Sequence, residues 1–128
     1  MAWVVDTCTL IDILEDDPSF GEASARQIDS HIHDGLVVCP VTYAELAPAF
    51  SGNPTLQDEF LDGIGIGYQE DWVWRDTLRT HAAWNEHIRR RRAGQAAKRP
   101  LADILIGSFA LRFQGLITRN PKDFRTAF

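Results

Sequence analysis

Residues 1–10 are MAWVVDTCTL, in which an apolar run, Trp3-Val4-Val5, meets a single acid, Asp6. A short β-branched run without helical spacing predicts a buried strand. Open parallel α/β sheets bind ligands at the carboxyl ends of their strands, which is where Asp6 stands. A carboxylate there is costly to bury unless positive charge is held against it. The stretch therefore predicts a core strand that leads into a functional site, and it suggests a metal ion.

Helical and strand-like patterns alternate along the rest of the chain, as βαβ units require. We expect a parallel α/β fold in one domain, residues 1–128. The predicted helices are 10–14, 22–33, 55–61, 71–92 and 101–113, and the predicted strands after the first are 36–41 and 116–117, with a short strand or loop at 64–68.

Composition narrows the class of protein. Hydrophobic residues make up 45% of the 128 positions and charged residues 24%, which is typical of a soluble globular domain. The net charge of −5 argues against bulk attraction to nucleic acid, although a local basic patch is compatible with it. No apolar run approaches the length of a membrane span. Two cysteines without a signal peptide predict free thiols and a cytoplasmic location.

Four further acids or amides lie next to apolar segments. Thr42 and Glu45 match a capping box, so Glu45 either caps a helix or faces a cleft at the edge that carries Asp6. Asp103 is the sole acid of an apolar helix; it is either a first-turn acid favoured by the helix dipole or a group held against other elements. Asn120 and Asp123 follow the last predicted strand.

Carboxylates brought together at one sheet edge would repel one another, and a divalent cation would remove that conflict. Oxygen ligands without His or Cys partners at ligand spacing favour Mg²⁺ or Mn²⁺ over Zn²⁺. An ion held by a few carboxylates with open water positions is suited to phosphoryl chemistry.

A basic cluster runs from Arg89 to Arg99 and contains six of the thirteen Lys and Arg residues. It either complements the dipole at a helix end or contacts phosphate. In the second case, the residues that we expect to contact the phosphates of a nucleic acid are Arg89, Arg92, Lys98 and Arg99.

Four motifs, in this order and at these separations, resemble those of the PIN-domain ribonucleases, and the size of the chain resembles a VapC-type toxin of a bacterial toxin–antitoxin pair. The motifs are Asp6-Thr7-Cys8, Thr42-Tyr43-Ala44-Glu45-Leu46, the segment 102–107 and the segment 118–124. The resemblance implies a three-layer α/β/α sandwich with a central, mostly parallel sheet. It also implies an Mg²⁺ or Mn²⁺ site that cleaves RNA by water attack.

Carried over by position, Asp6, Glu45 and Asp103 match the metal-binding acids of that family. Asn120 or Asp123 would complete the site, with Asn120 as a metal ligand and Asp123 as a catalytic acid. Thr7 and Thr118 would support it, while Cys8 stands where the family usually has Ser or Asn.

The resemblance also implies partners: an RNA substrate, a cognate antitoxin and a second copy in a homodimer. We expect no association with a membrane. Trp72, Trp74 and Phe50 are candidates for the protein-binding surfaces. The alternative hypothesis is a catalytically inactive PIN scaffold that binds RNA or a protein partner.

Overall fold

A computed structural model of the chain describes residues 1–96 and 101–119. Within these ranges, strands alternate with helices along the chain. The elements are β1 (Trp3–Val5), α1 (Thr7–Leu14), α2 (Gly21–His31), β2 (Leu36–Val37), α3 (Pro40–Glu45), α4 (Pro54–Gly63), β3 (Ile66–Gly67), α5 (Trp74–Arg92), α6 (Leu101–Ala110) and β4 (Gly115–Ile117), with 3-10 turns at Ile32–Asp34 and Ala47–Phe50.

The described strands form one parallel sheet in the order β3-β2-β1-β4. Val4 of β1 pairs with Val37 of β2, and Val5 pairs with Ile117 of β4. Because all four strands point the same way, the residues that follow them meet at one edge of the sheet. The predicted parallel α/β fold is confirmed.

Side chains alternate between the two faces of the sheet. Val5, Val38 and Ile117 belong to one buried cluster, with Leu10 of α1 and Ile28 of α2. A second cluster covers the other face; its residues are Val4, Val37, Cys39, Ile106, Phe109 and Ala110. The period of two residues in the strands thus divides the core between two helical layers, which confirms the predicted α/β/α sandwich.

Strand β4 lies against β1 at a position where a side chain would not fit. A Cβ atom on Gly115 would lie 2.6 Å from Cζ3 of Trp3, whose indole ring covers the glycine. Glycine is the residue that permits such a close approach.

Helices α5 and α6 form a hairpin held by a buried ion pair. Arg112 Nε lies 2.8 Å from Asp76 Oδ1, and Arg112 Nη2 lies 2.9 Å from Asp76 Oδ2. Since Asp76 is in the first turn of α5 and Arg112 follows the end of α6, the two helices run antiparallel. The end of α5, which carries the arginines, and the start of α6, which carries Asp103, therefore share one end of the hairpin.

Several predicted boundaries are wrong. Strand 36–41 stops early because Pro40 begins α3, and Cys39 rather than Thr42 is its N-cap residue. Proline suits the first turn of a helix, where its missing N–H is not needed. Helix α5 begins at Trp74 and not at 71, since Asp76 Oδ2 accepts a hydrogen bond from the N–H of Val73 and fixes the start of the helix there.

Helix α6 ends at Ala110, three residues before the predicted end. Both cysteines, Cys8 and Cys39, are free thiols, as predicted. Across residues 1–96 and 101–119, every helix is too short or too polar to cross a bilayer.

Candidate metal centre

Asp6 lies directly after β1 and is the N-cap residue of α1. Its Oδ1 accepts a hydrogen bond from the backbone N–H of Thr7 at 2.8 Å. Its Oδ2 accepts from Thr118 Oγ1 at 2.8 Å and from Cys8 Sγ at 3.0 Å. The carboxylate is 6% exposed, so three donors from two elements hold it in one orientation at the edge of the sheet.

These three donors reduce the cost of burying the Asp6 carboxylate. The sequence suggested that Asp6 needs a cation, but hydrogen bonds to a carboxylate stabilise its charged form as well. Burial, together with the neighbouring Asp6 charge and its hydrogen bond, raises the pKa of the Cys8 thiol to about 11. The thiol is therefore protonated at neutral pH and remains a donor to Asp6.

Glu45 reaches the same place from a distant part of the sequence. It is the last residue of α3 and is exposed. Its Oε1 accepts a hydrogen bond from Thr7 Oγ1 at 2.8 Å, and the same hydroxyl lies 3.0 Å from Thr42 Oγ1. Asp6 and Glu45 thus both bond to Thr7, one to its backbone and one to its side chain.

Asp103 is half-buried in the first turn of α6, a helix that contacts α3. In the described part of the chain, no three His, Cys, Asp or Glu side chains are grouped so as to hold a metal ion. The structure brings Asp6 and Glu45 together through Thr7. It does not place Asp103 with them in one three-acid group.

The oxygen donors present fit one kind of metal site. Mg²⁺ often keeps several water ligands and binds protein through only one or two carboxylates. Asp6 and Glu45, with hydroxyls from Thr7, Thr42 and Thr118 beside them, offer that type of donor set. A closed cage of protein ligands is not formed by residues 1–96 and 101–119.

Four of the predicted site residues lie outside the described residues. These are Asn120 and Asp123, the predicted fourth position of the metal site, and Lys98 and Arg99 of the basic cluster. Arg89 and Arg92 lie exposed in the last turn of α5. Arg89 already pairs with Glu86, its Nε lying 3.0 Å from Glu86 Oε2.

The aromatic residues expected at protein-binding surfaces separate into two groups. Trp74 is 71% exposed on α5. Trp72 stacks on Phe109 and donates its indole N–H to Thr77 Oγ1 at 2.8 Å. Phe50 packs against Phe60. Trp74 remains a candidate for a binding surface, whereas Trp72 and Phe50 serve packing within the chain.

Two residues near the site were missed or misassigned. Thr42, predicted as an N-cap, is fully buried inside α3 and contacts Thr7. Asp12 is an acid in an otherwise apolar helical pattern, and it is 2% exposed and paired with Arg119. The lone acid in that pattern was a signal available in the sequence, because a carboxylate on a core-facing stripe needs a partner.

Comparison with known proteins gives an informative match among solved structures. No family model matches the sequence, and no curated protein matches it significantly. The fold matches a chain of the crystal structure of VapBC2 from Rickettsia felis bound to a DNA fragment from its promoter. The TM-score is 0.71 and the sequence identity is 18%, with 98% of this chain and 92% of that chain covered. The chain therefore has the fold that the resemblance of its motifs to the VapC-type PIN domains predicted.

Proposed function

We propose that this protein is a metal-dependent endoribonuclease, the toxin component of a type II toxin–antitoxin system. The observation that carries the proposal is the convergence of Asp6 and Glu45 on Thr7 at the carboxyl edge of a parallel sheet. The fold shared with the Rickettsia felis VapBC2 chain supports it. In this proposal Asp6, Glu45 and Asp103 bind Mg²⁺, or Mn²⁺ in its place, and Asn120 or Asp123 completes the site.

Each residue of the described site has a definite task in this proposal. Thr7 holds the Glu45 carboxylate, while Cys8 and Thr118 orient Asp6. When bound, Mg²⁺ would lower the pKa of a water molecule and stabilise charge on the attacked phosphate. The attacking group in this proposal is a water molecule, and Cys8 serves as a hydrogen-bond donor to Asp6.

The arginines of α5 supply the contact to the RNA backbone. They lie at the end of the α5–α6 hairpin that also carries Asp103, so a strand bound near the acids would meet positive charge there. Contacts to phosphate explain how a protein with a net charge of −5 binds a polyanion. Of the predicted contacts, Arg92 is favoured over Arg89, whose guanidinium is paired with Glu86.

A second function is favoured by one observation. No three acids, histidines or cysteines form a metal-binding group within the described ranges, as would hold for an inactive scaffold that binds RNA or a protein partner. The two functions differ in their response to a chelator, because only the enzyme requires a metal.

Cleavage of total RNA by the purified protein should be abolished by EDTA and restored by excess Mg²⁺ or Mn²⁺. Titration with Mn²⁺ should show saturable binding. RNA that remains intact at every metal concentration, together with retained RNA binding, would identify the scaffold instead. Cleavage that is unaffected by EDTA would exclude the metal from the reaction.

A protein partner is proposed for the exposed apolar surface of α5. Trp74 and Leu78 lie one helical turn apart and are 71% and 53% exposed. Large exposed apolar residues at adjacent positions are typical of interaction sites. We assign this surface to the antitoxin; homodimer formation stays a separate prediction.

Trp74→Glu should weaken the complex with a co-expressed antitoxin about tenfold or more, as expected for a tryptophan at the centre of an interface. Leu56→Glu is the matched control, since Leu56 is similarly exposed, at 50%, but lies on α4. Equal binding by wild type and Trp74→Glu in a pull-down titration would remove this surface as the antitoxin site.

A further inference from the structure

A buried ion pair lies next to the candidate metal centre and has no role in the proposed chemistry. Asp12, on α1, is 2% exposed. Its Oδ1 accepts a hydrogen bond from Arg119 Nη1 at 2.7 Å, and its Oδ2 accepts from Ser24 Oγ of α2 at 3.1 Å. Both oxygens of this carboxylate are therefore occupied by donors from other elements.

The guanidinium of Arg119 is fixed on a second side as well. Its Cζ atom lies 4.8 Å from the centre of the Phe20 ring, in the loop before α2. The side chain is one-third exposed, but it is held between an aromatic ring and a buried carboxylate. An arginine held in this way ties the end of β4 to α1 and α2.

The Asp12–Arg119 ion pair lies immediately beside the candidate metal centre. Arg119 follows Thr118, whose Oγ1 donates a hydrogen bond to Asp6 Oδ2 at 2.8 Å. Strand β4 is also joined to Asp6 through the backbone, since Asp6 N donates to Ile117 O at 2.9 Å. The position of the Thr118 hydroxyl therefore depends on where the chain is held at residue 119.

We infer that the Asp12–Arg119 pair is a positioning element that holds the Thr118 hydroxyl against the carboxylate of Asp6. Groups that hydrogen-bond a metal ligand fix its orientation, and their loss typically lowers metal affinity about 10- to 100-fold. The side chains of Asp12 and Arg119 bond to each other and to Ser24 and Phe20, not to Asp6, so the pair acts through Thr118. The inference rests on the proposed function, because it concerns metal binding by Asp6.

The chain contains a second buried ion pair that serves as a comparison. Arg112 and Asp76 join the ends of α5 and α6, on the face of the sheet opposite α1 and α2. This pair has the same chemistry, and its side chains bond to each other and to the backbone of Asp71 and Val73. Loss of the Asp76 charge should therefore affect stability and leave the metal centre in place.

A double-mutant cycle on Mn²⁺ affinity tests the inference, because coupled residues give non-additive effects. Thr118→Val and Arg119→Met should each raise the Kd for Mn²⁺ about tenfold, at the lower end of the range for such partners. The Kd for Mn²⁺ of the variant that carries both substitutions should be no higher than that of Thr118→Val alone. Asp76→Asn should lower Tm while the Kd for Mn²⁺ stays that of the wild type.

Arg119→Met leaves Asp12 buried without its cation, so the cycle is repeated with Asp12→Asn/Arg119→Met in place of the single variant. Asparagine keeps an acceptor for Ser24 and removes the unpaired charge. An unchanged Kd in both Arg119 variants, or effects that add to that of Thr118→Val, would overturn the inference alone. Absence of Mn²⁺ binding by the wild-type protein would overturn it together with the proposed function.

Discussion

Asp6→Asn is expected to abolish detectable RNA cleavage, lowering the rate by roughly a hundredfold or more. A metal ion contributes several kcal/mol to stabilisation of the transition state, and each 1.36 kcal/mol corresponds to a factor of ten in rate. Removing the charge of Asp6 weakens both the binding of the ion and its orientation. The measurement is the initial rate of cleavage at saturating Mg²⁺.

Asp6→Asn should stay folded because asparagine can form hydrogen bonds with the neighbours of Asp6. Asparagine is as good an N-cap residue as aspartate, so its carbonyl oxygen can accept from the N–H of Thr7. Its amide group can donate to Thr118 Oγ1, because a hydroxyl group both donates and accepts. The circular dichroism spectrum of Asp6→Asn should therefore match that of the wild type.

Asp17→Asn is the matched control. Asp17 also accepts backbone hydrogen bonds, from Ser19 N and Phe20 N at 2.8 Å each, and the same charge is removed outside the candidate metal centre. These bonds hold the pKa of Asp17 below its usual value, so it is charged at neutral pH. Cleavage by Asp17→Asn should equal that of the wild type. Cleavage by Asp6→Asn at the wild-type rate would rule out Asp6 as a metal ligand.

Asp76→Ala is expected to destabilise the protein strongly. Asp76 is fully buried, accepts two hydrogen bonds from the guanidinium of Arg112 and also accepts one from Val73 N. Removing one partner of a buried pair costs about 3–5 kcal/mol, because the remaining charge is left uncompensated. In a domain of this size, Tm should fall by roughly 10–20 °C.

Thermal unfolding followed by circular dichroism measures this effect, and Glu86→Ala provides the comparison. Glu86 pairs with Arg89 on the exposed surface of α5, where ion pairs contribute little to stability. Its removal should leave Tm unchanged within error. A Tm for Asp76→Ala close to that of Glu86→Ala would show that the buried pair does not stabilise the hairpin.

The sequence predicts the fold because its strand segments consist of apolar residues. Trp3-Val4-Val5 and Leu116-Ile117 have no helical spacing, and both appear in the parallel sheet. Asp6 follows its strand directly, so its position at the carboxyl edge follows from strand polarity alone. The contact of Glu45 with Thr7 required only that α3 end near that edge.

Other features depend on tertiary contacts that no local pattern reports. Thr42 precedes an acid by three residues and matches a capping box, but Pro40 begins the helix earlier and turns Thr42 inward. The Asp6 carboxylate accepts a hydrogen bond from Thr118, which is 112 positions away. Asp12 and Asp76 each find an arginine distant in sequence, and single acids in helical patterns do not reveal those partners.

The indole of Trp3 over Gly115 bears on how accurately two strands are aligned. Because residue 115 has no side chain, the amino-terminal ends of β1 and β4 can close completely, and the carboxyl-terminal ends that deliver Asp6 and Thr118 are brought level with each other. A methyl group at residue 115 would push the amino-terminal ends of β1 and β4 apart. The two strands would then be tilted relative to each other at their carboxyl-terminal ends. Gly115 thus determines how accurately Asp6 and Thr118 are aligned at the candidate metal centre.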